Sequence, residues 1–172
     1  MIATGLLIGA MLIQVLLVNR LPLPLEGAPD LTLLVVVGYG LVRGPVRGTV
    51  AGFCAGLVVD VLPPASHAIG QYALAYCVAG FLAGRCAERR GAGGQVIAAV
   101  LGSVIAPVLA AASGALLGDP RITPVDMAVV LPLTAGYNLL ASPVVLWGVK
   151  RLLGGEPDRA AGRQGRPVRS LT

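Results

Sequence analysis

The sequence predicts an all-α, polytopic membrane protein with six transmembrane helices, the second and third of them short. Three observations carry this. Hydrophobic residues make up 56% of the 172 residues and charged residues only 12%, about half the roughly 25% that keeps a soluble domain in water; mean hydropathy is +0.83. The apolar residues gather into six runs, parted by loops rich in Gly, Pro and Arg. The basic residues fall almost wholly into alternate loops.

A spanning helix needs about 20 apolar residues, with a range of roughly 17 to 25. The first run covers 2–18 and lacks the basic start and small-residue cleavage site of a removable signal peptide. The proline-broken loop "NRLPLPLEGAP" leads to runs at 31–42 and 48–62, which are parted by "RGPVRG". After "PPASH" comes 68–84, after the basic loop "RCAERRGAGG" comes 95–117, and after "GDPRITP" comes 125–149. Residues 1–153 therefore form one membrane domain. Residues 154–172, rich in Gly, Pro and Arg, are expected to be a disordered basic tail.

Charge sets the orientation. Arg43, Arg47, Arg85, Arg89, Arg90, Lys150, Arg151 and four arginines of the tail fall on one side of six spans, and Arg20 and Arg121 on the other. Positive charge is retained on the cytoplasmic face, so both termini are expected in the cytoplasm. The run 31–42 would make only about 18 Å of helix against an apolar core of about 30 Å. A re-entrant hairpin is the alternative, and it would hold Arg43 and Arg47 inside the membrane at about 2.5–3.5 kcal/mol each. Two short spans in a thinned or protein-covered region, with both arginines at a cytoplasmic turn, are the preferred reading.

Within "VRGPVRGTVAGFCAGLVVD", Gly48, Gly52 and Gly56 recur every fourth residue and share one helix face. In lipid, helices associate through close backbone contact at small residues. This face is expected to receive another helix, of the same chain or, on the sharper reading, of a partner. Gly40 and Gly44 belong to the preceding helix end. Asp30 follows Pro29 and is placed to cap the second helix. Asp60 lies near the end of the third, where a carboxylate opposes the helix dipole. It calls for a donor, drawn from Asn19, Arg20 or a backbone amide in 63–70. A scaffold is expected to tolerate Asp60→Asn.

Several functions are argued against. Net charge is +5 but confined to short clusters, and aromatic residues are 4% of the chain, which leaves little stacking surface for nucleic acid. Cys54, Cys77 and Cys86 have no metal-ligand spacing, and His67 is the only histidine, so neither a metal nor a cofactor is expected. No Ser/His/Asp set and no phosphate loop is present; "RGAGGQ" lacks the loop lysine. The chain reads as a non-enzyme. The polar residues within spans, Gln14, Gln71, Gln95, Asn138 and Ser142, are thinly spread for a transport site. Pro107, Pro132 and Pro143 lie within spans, where kinks are tolerated, and are expected either to shape a cavity or merely to bend helices.

The stretch from Pro29 to Arg85 resembles the core of the rod shape-determining MreD family. The residues that carry the likeness are Pro29 and Asp30, Arg43 and Gly44, the run Gly52 to Asp60, Gly70, and Gly80 to Arg85. The loop "LPPASHAIGQ" is bulkier than the family pattern. The resemblance covers about a third of the chain and implies a non-catalytic scaffold in the bacterial cytoplasmic (inner) membrane, part of the machinery that elongates the peptidoglycan wall and sets cell shape. It implies a single-span MreC-like partner, and through it MreB filaments, the glycosyltransferase RodA and a class B penicillin-binding transpeptidase. Asp30, Arg43, Asp60 and Arg85 would be its motif positions. The family in turn resembles the substrate-binding subunits of vitamin transporters, six helices around a small-molecule pocket. A transporter subunit is the alternative function.

Overall fold

In the computed structural model of the chain, the described residues are 2–16, 28–62, 69–87, 92–118 and 124–154. Arg20, His67, Arg89, Arg90 and the tail from residue 155, on which the sequence raised expectations, lie outside them. The described residues form six α-helices: α1 (Ile2–Leu16), α2 (Leu31–Arg43), α3 (Pro45–Val61), α4 (Gln71–Ala87), α5 (Ala92–Leu116) and α6 (Pro124–Leu153).

The boundaries differ from the apolar runs for local reasons. A single residue, Gly44 at φ 87°, separates α2 from α3. Pro45 opens α3 because its fixed φ suits the first helical position, where an N–H has no partner to lose. Arg47 therefore lies in the first turn of α3, not in a loop. α4 begins at 71 rather than 68, after Gly70 at φ 102°. It continues past 84 to Ala87. α6 runs on to Leu153, beyond the apolar stretch, since Lys150 and Arg151 in its last turn complement the negative end of the helix dipole.

α2 is the centre of the molecule. Every residue from Thr32 to Gly38 is buried, and a helix apolar all round belongs inside. All five other helices pack on it, with α3, α4, α5 and α6 adjacent in that order and α1 beside α2 and α6. Thus the first two turns of the shortest helix are covered by protein, which lessens any need for it to match a membrane's thickness by itself.

Small residues let the helices approach. A Cβ on Gly40 would stand 2.6 Å from the Gly80 carbonyl oxygen, and one on Gly38 would stand 3.0 Å from the Val149 side chain. The most extensive packing joins α3 to α4. There a Cβ on Gly48, Gly52 or Gly56 would collide with the carbonyl oxygens of Gly80, Tyr76 and Tyr72 respectively, and one on Gly84 with Pro45. The glycine face of α3 is thus closed by α4 of the same chain. It is not an open groove for a partner.

Outward faces are apolar. Val46, Val50, Phe53, Leu57 and Val61 make one exposed stripe of α3, and Leu140, Val144 and Trp147 one of α6. Gly93–Leu116 and Met127–Leu153 are each long and apolar enough to cross a membrane.

The two ends of the bundle differ in charge. Arg43 Nη2 donates to the Leu153 carbonyl at 3.3 Å, so the α2–α3 turn lies level with the end of α6. Gly84 abuts Pro45, which brings the end of α4 to the same level. Arg43, Arg47, Arg85, Lys150 and Arg151 therefore share one end.

Candidate functional site

Three helices grip the entry to α2. Asp30 caps α2, its Oδ1 accepting the Leu33 N–H at 3.0 Å, as the Pro-Asp pattern predicts. Its Oδ2 accepts the hydroxyl of Tyr76 from α4. Its own N–H donates to Oδ1 of Asn138 from α6 at 2.6 Å. On either side Gln14 of α1 closes the ring: Nε2 donates to the Pro29 carbonyl at 3.0 Å, and Oε1 accepts the Leu31 N–H at 2.8 Å. These bonds satisfy the orphan groups of a buried helix start, which would otherwise be costly in an apolar setting. They form a polar collar made from four segments far apart in the sequence.

Asn138 is fully buried, and its Nδ2 has no hydrogen-bond partner; the Thr32 hydroxyl, in the first turn of α2, is likewise buried and unpartnered. The Asp30 N–H fixes which end of the Asn138 amide is the oxygen. From Asn138 to Leu153, α6 runs about 22 Å at 1.5 Å per residue. The collar is therefore about that far from the basic end, and α6 continues about 21 Å beyond it to Pro124. None of residues 127–137 of α6 is buried. Asp30 thus lies part-way along the bundle, deeper than the start of an apolar run at a membrane face suggests.

Asp60, 2% exposed, answers to a different need. Its carboxylate accepts the N–H groups of Gly70 at 2.9 Å, Tyr72 at 3.0 Å and Ala73 at 3.0 Å. An acid at the end of α3 is therefore the N-terminal cap of α4. One of its donors, Gly70, falls in the expected range 63–70; Tyr72 and Ala73 lie just past it. The rings of Tyr72 and Tyr76 meet edge to face, with centroids 5.8 Å apart, and so connect the Asp60 cap to the collar.

The other polar residues separate by role. Gln71 Nε2 donates to the Ala110 carbonyl of α5 at 2.5 Å. Ser142 donates to Leu139 O at 2.8 Å, the carbonyl that Pro143 leaves without its usual N–H. Gln95 is in the first turn of α5, remote from the collar along that helix. Arg43 and Arg85 lie at the basic end and take no part in the collar. Among the described residues no three His, Cys, Asp or Glu side chains converge as a metal site would require. Sequence reasoning placed Asp30 and noted Asn138 and Gln14, but had no signal that they meet; Tyr76 was missed, since a tyrosine in an apolar run reads as core. No protein-family model, curated protein or solved structure matches the chain.

Proposed function

We propose that the chain is a six-span, non-catalytic scaffold of the bacterial inner membrane, resembling the MreD family, which positions wall-elongation enzymes through a single-span MreC-like partner. The observation that carries this reading is the use made of the motif stretch. Asp30, Gly44, Gly52, Gly56, Asp60, Gly70, Gly80 and Gly84 serve as caps, turns and helix contacts within one tightly packed unit, α2–α3–α4. A stretch whose glycines and acids are spent on architecture suits a protein whose task is to present a rigid surface. With the glycine face of α3 closed by α4, the partner's helix would meet an outward stripe instead. MreB, RodA and the transpeptidase would be reached through that partner.

The test is genetic and biochemical. Depletion in a rod-shaped host should round the cells, and the tagged chain should co-purify an MreC-like protein from detergent. Normal rods after depletion, together with no such partner, would overturn the scaffold.

The second reading, a small-molecule-binding subunit of a transporter, is favoured by one observation, the convergence of Gln14, Asp30, Tyr76 and Asn138. It predicts that the purified wild-type chain binds a solute in detergent and that the bound solute delays its thermal unfolding.

A further inference from the structure

We infer that the cytoplasmic end of α6 is a recognition site for the headgroup of an anionic phospholipid, with Lys150 and Arg151 meeting the phosphate. This rests on the membrane reading above. α6 buries Asn138, Ser142, Leu146, Val149 and Leu153 on one side. On the other it exposes Leu140 at 77%, Val144 at 73% and Trp147 at 62%. Arg151 is the next residue of that exposed stripe. Its guanidinium carbon stands 5.2 Å from the centre of the Trp147 ring, which orients the charge at the foot of the apolar face. Tryptophan concentrates at the level of lipid headgroups. An acyl chain along Leu140 and Val144 would therefore bring its own phosphate to Arg151 and Lys150.

Charge decides which lipid. Arg43, Arg47 and Arg85 share this end of the bundle, while Asp30 and Asp60 cap helices at the opposite end of the central helices. A zwitterionic headgroup brings an ammonium into that positive field and gains little. A net-negative one gains roughly fivefold in binding for each basic residue near the surface.

Trp147 is the only tryptophan of the chain, so its fluorescence reports on this site alone. The full chain would be reconstituted in bilayers containing brominated phosphatidylglycerol or brominated phosphatidylcholine with the same chains. The expected result is stronger quenching by the anionic lipid at equal mole fraction, equivalent to at least a fivefold binding preference. That preference should fall several-fold in K150Q/R151Q and, in the wild-type protein, with added salt. Equal quenching by both lipids overturns the inference, and so does a preference unmoved by the double substitution, whatever its response to salt. Quenching by neither lipid overturns the membrane reading itself.

Discussion

Asp60 stands in the last turn of α3, where the helix dipole disfavours a carboxylate, yet it lies against the first turn of α4, where the dipole favours one. Three charge-assisted hydrogen bonds to backbone N–H groups decide the balance. An asparagine would turn an NH₂ group toward one or two of those donors. The structure thus reverses the expectation that a scaffold tolerates Asp60→Asn. Hydrogen bonds to a charged group contribute about 1.5–3 kcal/mol each, so the substitution should cost at least about 2 kcal/mol, read as earlier thermal unfolding in detergent. The glycines give a sharper contrast. A Cβ at Gly52 meets the Tyr76 backbone, which has no soft side chain to yield, whereas a Cβ at Gly5 meets nothing within 4 Å. Gly52→Ala should destabilise by about 1–3 kcal/mol through overpacking. Gly5→Ala should be neutral or up to about 1 kcal/mol stabilising, since alanine is the better helix former. Equal melting of these two variants would mean that α3 and α4 do not approach as described.

At the scale of elements, the six helices are legible from hydropathy, because each apolar run is bounded by loops rich in Gly, Pro and Arg. Who packs on whom is less so. The four-residue glycine spacing of α3 announced a close contact, but its periodicity carries no mark of whether the visiting helix is α4 or a partner. The depth of α2 showed only as a helix seeming too short to span, a symptom that covering by other helices explains. The collar was illegible because Gln14, Asp30, Tyr76 and Asn138 acquire their relation only when α1, α4 and α6 close on α2. The native cysteines test this packing without any substitution: Cys54 is exposed on α3 and Cys86 buried on α4. A lipid-soluble maleimide should modify Cys54 readily and leave Cys86 unmodified until the protein is denatured, as mass spectrometry of the intact chain would show. Early modification of Cys86 would mean that α4 is not held against its neighbours.

The whole molecule is polarised along its axis. Its basic end gathers the α2–α3 turn and the ends of α4 and α6, while its two capping acids serve the opposite end of the central helices. Sequence alone left open whether α2 and α3 cross the membrane or re-enter it. The hydrogen bond from Arg43 to the last carbonyl of α6 bears on that choice, because it ties the α2–α3 turn to the level of Lys150 and Arg151. A turn buried at mid-membrane could make this bond only if the end of α6 and its two charges were buried with it, at a cost of several kcal/mol for the charges alone. The turn and the end of α6 should therefore lie together at the cytoplasmic surface. Val46 in the first turn of α3 is 74% exposed, and Ile69, just before α4, is 73% exposed. In vesicles of known orientation, Val46→Cys in a background lacking the native cysteines should react with a membrane-impermeant thiol reagent only from the cytoplasmic side. Ile69→Cys should react only from the other side. Labelling of both positions from one side would replace two crossing helices with a re-entrant pair.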